Sequence, residues 1–413
     1  ISHKIFPFLT NSKLEFSLIL FGLLFFGCSS TKRFSSDSNS EANSSNLIRV
    51  LLENNSSELT ILVSDEIFIS NDKKSLAKVA SGNKLKFINR SGYLNLTIGD
   101  KEFVSEMFFL AASNETEMLK IDNKKYRGRI KVFIIDSEIK VVNQLGLEDY
   151  VKGVMTKEMP VGNGNENYDA LKAFSICIRT YAFNKINEHK EFFDIYRDTR
   201  DQVYGGVDGE TEFTNGIVNE TKGQLLVYED HPSVIFYHST CGGFTENVEN
   251  VFTKKNIPYL KGVEDGNDAY CKISPRYEWT EKYSESIFID RLYKAKLIDS
   301  NKYKLSDVKI KSRFDSGRVN ELDIIVNDGE EIQKTIFLVG NQIRSIVRSS
   351  DDKSILKSTL FNINIDNENN IIITGKGNGH GVGLCQWGAI GQSKVGKDYK
   401  EILNHYFPGT NIK

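Results

Sequence analysis

Short runs of alternating apolar and polar residues fill most of this chain, and they predict strands. Residues 47–125 contain several such runs, separated by turns rich in Asn, Asp, Ser and Gly. A segment in which apolar and polar residues alternate, with turn residues at both ends, is typical of a half-buried strand. We therefore expect a small β-rich accessory region over 47–125. Two more strands, 129–135 and 138–142, should meet across Asp136 and Ser137.

One long helical pattern interrupts the strands. Apolar residues recur with helical spacing over residues 168–187, and the remaining faces carry Ala173, Ile176 and Cys177. This arrangement predicts a helix that is buried almost all round. A second helix should cover 145–155 and stop before Pro160, since proline cannot continue a helix. With strands returning after residue 224 and no regular alternation of strand and helix, we expect an α+β fold.

The first 46 residues have the pattern of an export signal followed by a tether. Basic residues precede an apolar run that is shorter than the ~20 residues that span a bilayer, and the run ends in Gly27-Cys28-Ser-Ser. This predicts a bacterial lipoprotein signal over 1–28, with Cys28 carrying the lipid, in an exported protein anchored to a membrane. A signal peptide without lipid, or an uncut anchor, are the alternatives. Residues 29–46 contain too few apolar side chains to order themselves.

Composition narrows the function classes. The chain has 413 residues, 26% of them charged, and a net charge of −2. Nucleic acid binding needs clustered excess Lys and Arg, so we expect no nucleic acid partner. After the accessory region, the main folded domain should cover residues 126–413.

Glu158 is the first candidate for chemistry. It lies beside Met155, Met159 and Pro160, and an apolar setting raises the pKa of a carboxyl group towards the value that a general acid needs. Most glycosidases use two carboxylates, and no second one has a comparable setting. A single carboxyl suits a lytic transglycosylase, in which the 6-hydroxyl of the sugar replaces water. The alternative is a structural Glu158 that caps a helix or pairs with Lys172 or Arg179.

A second candidate is a metal site. His238 and Cys241 are three residues apart, Cys271 follows thirty residues later, and Cys385 lies in a glycine-rich turn. One His and up to three Cys form a suitable tetrahedral set for Zn²⁺. A Cys241–Cys271 disulfide is the alternative, since an exported protein permits it. We favour structural zinc because His238 accompanies the thiols.

Polar residues near glycine turns are candidates for binding sugar. His380 is flanked by glycines, so little local bulk surrounds it, and Gln386 follows in the same turn. Gln202 and Tyr204 precede Gly205-Gly206 and form a polar and aromatic pair that suits a sugar ring, although an ordinary turn accounts for them equally well.

These segments together resemble the SpoIID/LytB family, named after stage II sporulation protein D and the amidase modifier LytB. The resemblance covers residues 126–412 in ordered blocks. Among them are Tyr-Arg-Gly at 126–128, Lys-Glu-Met-Pro at 157–160, Arg-Thr-Tyr-Ala at 179–182, His-Ser-Thr-Cys-Gly-Gly at 238–243 and Gly-His-Gly-Val-Gly-Leu-Cys-Gln-Trp-Gly-Ala at 379–389.

The resemblance implies action on peptidoglycan. It implies a lytic transglycosylase that cuts MurNAc–GlcNAc linkages in glycan strands stripped of stem peptides and leaves a 1,6-anhydro end. The catalytic glutamate of the family falls on Glu158, and its essential basic residues fall on Lys172 and Arg179. Some members bind zinc near the positions of His238 and Cys241. The main rival is a non-catalytic activator of a cell-wall amidase, and a purely structural glycan-binding lipoprotein is the third possibility.

Overall fold

The computed structural model describes residues 47–55, 57–113, 118–162, 164–329 and 333–413. The predicted signal over 1–28, the lipidation site Cys28 and the tether over 29–46 lie outside the described residues. Within the described ranges, no helix combines the length and apolar composition needed to cross a bilayer.

Twelve strands precede the first helix in the described part of the chain. They are β1 (Leu47–Asn55), β2 (Glu58–Leu62), β3 (Ile67–Ser70), β4 (Ser75–Val79), β5 (Lys84–Arg90), β6 (Tyr93–Ile98), β7 (Lys101–Ser105), β8 (Met107–Ala112), β9 (Leu119–Ile121), β10 (Lys124–Tyr126), β11 (Arg129–Ile135) and β12 (Glu138–Gly146).

Helices and strands follow in mixed order up to the end of the chain. They are α1 (Leu147–Glu158), α2 (Tyr168–Asn187), β13 (Ile195–Tyr196), α3 (Glu212–Glu220), β14 (Leu226–Tyr228), β15 (His231–Pro232), β16 (Tyr237–His238), β17 (Glu278–Ser284), α4 (Glu285–Lys294), β18 (Lys304–Arg313), β19 (Val319–Asn327), β20 (Gln333–Val339), α5 (Gln342–Val347), β21 (Phe361–Ile365), β22 (Asn370–Lys376), β23 (Leu384–Cys385), α6 (Gln386–Lys394), α7 (Tyr399–Tyr406) and β24 (Asn411–Ile412). Short 3-10 helices cover Gly164–Asn167, Val248–Asn250 and Tyr270–Ile273. This content confirms the predicted α+β class.

A seven-stranded sheet in the order β13-β1-β12-β11-β8-β3-β4 forms the base of the fold. The predicted hairpin of β11 and β12 pairs Ile135 with Glu138, and its turn residues Asp136 and Ser137 have φ of 50° and 65°. Positive φ at both central positions is the geometry that matches the twist of a two-residue hairpin. Strands β1, β3, β4 and β8 precede residue 125, whereas β11, β12 and β13 follow it. The sheet therefore contains strands from both sides of the domain boundary that the sequence predicts at residue 125.

Helix α2 is the buried central helix that the apolar pattern predicts. It packs against α1, α3, α6 and α7, and its buried residues occur on every face between Ala170 and Ala182. Because α1 and α6 both contact α2 and α6 begins at Gln386, the fold brings the Glu158 end of α1 towards the glycine-rich tail.

A separate hydrophobic core lies in residues 278–376, which we call the inserted lobe. It contains two three-stranded sheets, β17-β22-β21 and β18-β19-β20, together with α4 and α5. Its buried residues run from Trp279 to Ile373, and they form a cluster distinct from the main core. Parallel pairing of His238 with Cys385 joins β16 to β23 on either side of the lobe. The lobe is therefore an insertion that leaves the two flanking segments adjacent.

Candidate functional site

Glu158 is the last residue of α1, and Pro160 explains why the helix ends there. Met159 is extended, with φ −130° and ψ 135°, as expected of a residue that precedes a proline. The carboxyl oxygen Oε1 accepts a hydrogen bond of 2.6 Å from the backbone N–H of Val203. Burial raises the pKa of Glu158 above its usual value of 4.5, while the Val203 N–H and the neighbouring Tyr237 act in the opposite direction. Glu158 is thus a partly desolvated carboxyl group held at one oxygen.

The hydroxyl of Tyr237 lies beside this carboxyl group. Its oxygen is buried and makes no hydrogen bond of normal geometry, although its proximity lowers the pKa of Glu158. The hydroxyl is therefore a polar group close to the candidate acid that meets no partner with normal hydrogen-bond geometry.

Gln386 ties the glycine-rich tail to the same helix end. Its side-chain amide donates a hydrogen bond of 2.8 Å to the backbone carbonyl of Glu158. That carbonyl belongs to the last turn of α1, where carbonyl groups lack partners within the helix. The contact brings residues 158 and 386 together, and it makes Gln386, which the sequence analysis assigned to sugar binding, a positioning residue.

A cleft of about 490 Å³ opens at this contact. Its lining includes Lys157, Glu158, Ser239, Arg276, Gln386 and Trp387, and Glu158 is the single carboxylate among the lining residues. Lys157 and Arg276 are both exposed. The cleft therefore combines one acid, two cations at its surface and the ring of Trp387.

A larger cavity of about 680 Å³ lies in the inserted lobe and is lined partly by Trp279, Arg313 and Phe361. Its one carboxylate, Glu278, is exposed and pairs with Lys376. Because that carboxylate is solvated and paired, the cavity lacks a group with the setting of Glu158. The cleft at Glu158 is the better candidate for acid chemistry.

Gln202 and Tyr204 lie behind Glu158, in the protein interior. Tyr204 is 2% exposed and Gln202 is 0% exposed. Tyr204 stacks on Tyr150 with ring centroids 5.4 Å apart and donates a 2.8 Å hydrogen bond to Asn143. Tyr150 donates to Gln202. The structure thus gives the pair a role in fixing the segment that carries Val203, and it does not expose either residue to a glycan.

His380 lies in an aromatic cluster and is not among the residues that line the cleft. Its ring centroid is 4.9 Å from that of Phe252 and 5.5 Å from that of His238. Its Nδ1 accepts from the backbone N–H of Val382. Burial and the charge of Arg344 lower the pKa of His380 to about 3, so its imidazole is neutral. No hydrogen bond or ion pair joins His380 to Glu158 among the residues that the structure describes.

Arg179 is buried in α2 and points to the start of α1. Its guanidinium makes two hydrogen bonds with Glu148, of 2.9 and 2.8 Å, and also reaches the carbonyls of Val218 and Gln224. Glu148 is in the first turn of α1. Arg179 therefore fixes the helix that ends at Glu158 without contacting Glu158 itself.

Lys172 lies about two turns before Arg179 on the same face of α2. Its Nζ lies 2.7 Å from Glu220 in α3 and 4.5 Å from the ring centroid of Tyr168. Both predicted cations are thus paired with glutamates other than Glu158, and both join helices to one another.

Three of the four predicted metal ligands meet, and an aspartate joins them. The ligand atoms of Cys241, Asp265, Cys271 and Cys385 all lie within 4.8 Å of one another, and all four residues are buried. His238 does not belong to this group. Its Nδ1 lies 3.1 Å from the carbonyl oxygen of Val382.

Sequence reasoning missed Asp265, Tyr237 and the Val203 N–H. Asp265 precedes Cys271 by six residues, in the run Asp-Gly-Asn-Asp-Ala-Tyr-Cys. A carboxylate so close in sequence to a candidate thiol ligand was the signal that could have identified it. The backbone donor at Val203 carries no side-chain signal at all.

Comparisons with known proteins cover the segment that carries the candidate acid and the segment that contains the inserted lobe. A family model described as stage II sporulation protein matches residues 135–228, which contain Glu158, Lys172 and Arg179. A second model, described only as a domain of unknown function, matches residues 271–383. That segment contains the inserted lobe.

Individual relatives extend the similarity. An uncharacterised protein of Brachyspira hyodysenteriae is 34% identical over 294 residues, which are 70% of this chain and 72% of that protein. Stage II sporulation protein D of Bacillus subtilis is 28% identical over 66% of this chain and 75% of its own length. An amidase enhancer of Bacillus subtilis is 27% identical over 86% of this chain, which spans about half (52%) of that relative.

Proposed function

Because the chain belongs to the SpoIID/LytB family, we propose that it is a lytic transglycosylase of peptidoglycan in which Glu158 is both acid and base. Its relatives support a cell-wall-related function. The observation that carries the finer proposal is the single partly desolvated carboxyl group in the cleft. A hydrolase of the usual kind would need a second carboxylate to activate water.

The proposed reaction transfers one proton in each direction. Protonated Glu158 gives its proton to the glycosidic oxygen as the bond to C1 of MurNAc breaks, and the GlcNAc end leaves with a new hydroxyl group. The ionised Glu158 then takes the proton of the 6-hydroxyl of the same MurNAc, whose oxygen bonds to C1. The glutamate returns to its starting state, and no water is consumed.

The geometry supports these two successive roles of Glu158. We assign the transferred proton to Oε2, because Oε1 accepts from the Val203 N–H. The raised pKa keeps a larger fraction of Glu158 protonated near neutral pH than an exposed glutamate would have. Trp387 and Gln386 line the cleft, and the ring of Trp387 supplies an apolar face for a sugar.

We assign Lys172 and Arg179 to positioning. Arg179 holds the start of α1 through Glu148, and Lys172 holds α3 through Glu220. Loss of either contact shifts the helix end that presents Glu158. The proposal locates the protein outside the cytoplasmic membrane, where peptidoglycan lies, with Cys28 as its lipid attachment site.

A second candidate function is activation of a cell-wall amidase. It is favoured by the similarity to a protein named amidase enhancer, which extends over 86% of this chain. In that role the cleft at Glu158 would grip glycan, and the partner amidase would do the cutting.

Product analysis with purified glycan separates the two functions. The protein is incubated with glycan strands stripped of stem peptides, and fragments are identified by mass. We expect anhydro-ended fragments from the wild type and none from Glu158→Gln, which keeps the shape of the side chain but cannot donate a proton. Glu188→Gln is the matched control, since Glu188 is an exposed residue just beyond α2.

The second candidate function, activation of an amidase, predicts a different result in this experiment. If the wild type binds strands, releases no fragments and increases the rate of a cell-wall amidase on intact peptidoglycan, the activator function replaces the transglycosylase. Fragment release that persists in Glu158→Gln would contradict the assignment of Glu158.

A further inference from the structure

The chain has two tryptophans, and each lines a cavity. Trp387 lines the cleft at Glu158. Trp279 lines the cavity of about 680 Å³ in the inserted lobe, which we call the lobe cavity and whose wall also contains Arg313 and Phe361. This volume lies within the ~300–1,000 Å³ that is typical of ligand sites. The lobe cavity is therefore large enough to be a binding site of its own.

The lobe cavity adjoins the cleft along the chain. Arg276 lines the cleft, and Glu278 and Trp279, at the start of β17, line the lobe cavity. Only Tyr277 separates the two sets of lining residues, so the Cα atoms of Arg276 and Glu278 are at most ~7 Å apart. The two cavities are close enough for one extended polymer to occupy both.

Arg313 brings to the lobe cavity a positive charge that no carboxylate balances. Partial burial lowers the pKa of Arg313, and no carboxylate among the described residues acts in the opposite direction. The guanidinium donates to the carbonyl oxygens of Gly317 and Phe361, at 2.7 and 2.9 Å, and to the side-chain oxygen of Asn362 at 2.8 Å. These neutral acceptors use three of the five N–H groups of a guanidinium. The other two are available to an anion.

The rest of the lining leaves that charge unbalanced. The other charged residues of the lobe cavity are Lys376 and Glu278, and they pair with each other at 3.3 Å. Trp279 and Phe361 add apolar surface beside Arg313. A ligand that fits this lining has an anionic group next to a ring with an apolar face, because the anion pairs with the guanidinium and the ring contacts the aromatic side chains.

A stripped glycan strand has this chemistry at regular intervals. Removal of the stem peptide leaves a free lactyl carboxylate on each MurNAc, so every second sugar of the strand carries one negative charge. Cations continue from the cleft to the lobe cavity, with Lys157 and Arg276 in the first lining and Lys376 and Arg313 in the second. A polymer that binds at two linked sites gains affinity over either site alone.

We propose that the lobe cavity is a second binding site for the glycan strand, in which Arg313 binds a lactyl carboxylate and Trp279 contacts the sugar ring. The inference rests on the substrate named in the proposed function, and it holds whether the strand is cut or only gripped. Arginine suits this role because its planar guanidinium gives a carboxylate directional, charge-assisted hydrogen bonds. A strand held in both cavities would be aligned past Glu158.

The test is binding by the full chain carrying Glu158→Gln, which leaves the strand uncut. The probes are glycan strands stripped of stem peptides and GlcNAc oligomers of matched length, which lack the carboxylate. We expect tighter binding of the stripped strands, and Arg313→Met should reduce this preference about tenfold. Lys311→Met is the matched control, since Lys311 is an exposed cation two residues earlier in β18 and outside the cavity lining.

Tryptophan fluorescence reports the lobe cavity without any change to Arg313. In Trp387→Phe, Trp279 is the only tryptophan left in the chain. Stripped strands should shift or quench its emission, and neutral oligomers at the same concentration should have a smaller effect. If Arg313→Met does not fold, this measurement decides.

Three results would overturn the inference. The first is a preference for stripped strands that is equal in Arg313→Met and Lys311→Met, which would mean that Arg313 only joins β18 to β21. The second is Trp279 emission that stays constant while strands bind. The third is no glycan binding at all, which would also remove both candidate functions. Failure of the transglycosylase proposal alone is a separate result, since it appears as wild type that binds strands and releases no fragments.

Discussion

The side-chain amide of Gln386 donates a 2.8 Å hydrogen bond to the backbone carbonyl of Glu158, across 228 residues of sequence. One partner ends α1 and the other begins α6. The contact therefore fixes the only acid of the cleft lining relative to the glycine-rich tail. This makes the geometry of Glu158 sensitive to residues far from it in the chain.

Replacing Gln386 by Met should lower activity much more than it lowers the stability of the fold. The variant keeps side-chain length but loses a partly buried hydrogen bond, which costs about 1 kcal/mol of stability. A displaced Glu158 should lower kcat on stripped glycan strands about 10- to 100-fold. The measurement is steady-state kinetics together with Tm.

Gln392→Met is the matched control for this prediction. Gln392 is buried in the same helix, and neither of its side-chain polar atoms has a partner. It should retain wild-type kcat. Equal losses in both variants would show that packing of α6, and not the contact with Glu158, is responsible.

The raised pKa of Glu158 predicts how stability changes with pH. A carboxyl group whose pKa is raised by folding adds stability below its unfolded pKa, and this stability is lost as pH rises through the folded pKa. Glu158→Gln has no such loss. We expect its Tm to exceed that of the wild type at about pH 7.5 and the difference to shrink at about pH 4. A difference that grows on acidification would contradict the raised pKa.

The Arg179–Glu148 pair predicts a rescue. The side chain of Arg179 is 1% exposed. Arg179→Met should therefore lower the free energy of unfolding by about 3 kcal/mol, because Glu148 loses its partner. Adding Glu148→Gln should recover part of the stability. If Arg179 only positions α1, activity per folded molecule should recover as well.

The alternative role of Arg179 gives a different result. A guanidinium that stabilises charge on the glycan is not replaced by removing Glu148. A double variant that regains stability but stays inactive would therefore support direct participation of Arg179.

Two helical glycines should respond in opposite ways to alanine. A Cβ at Gly388 would overlap the Tyr406 hydroxyl and a carboxylate oxygen of Asp265, so Gly388→Ala should cost about 1–3 kcal/mol. A Cβ at Gly216 in α3 would meet no described atom within 4 Å, so Gly216→Ala should stabilise by about 0.5–1 kcal/mol. Denaturant unfolding measures both, and stabilisation by Gly388→Ala would contradict the packing described around Asp265.

Local patterns in the sequence were enough for the elements, but not for every contact. The apolar spacing over 168–187 predicted α2, and the turn at Asp136 and Ser137 predicted the β11–β12 hairpin. Both signals are carried by residues close in sequence. Asp265 lies only six residues before Cys271, but its place in the cysteine cluster depends on contacts with Gly243 and Tyr406, which local spacing does not encode.

The inserted lobe shows the same limit. The sequence predicted that strands return after residue 224, but a separate core is a property of which strands pack together. Likewise, Gln202 and Tyr204 have the composition of a sugar-binding pair, yet their burial behind Val203 depends on the stack with Tyr150. Residue type alone does not distinguish a binding face from a supporting layer.

The most direct test of the account is cleavage of stripped glycan strands in water enriched in heavy oxygen. Attack by the 6-hydroxyl consumes no water, so the new MurNAc ends should be anhydro forms without the label. These products should be absent with Glu158→Gln. Reducing ends that carry heavy oxygen would show hydrolysis and contradict the central claim that one carboxyl group at residue 158 cuts the strand without water.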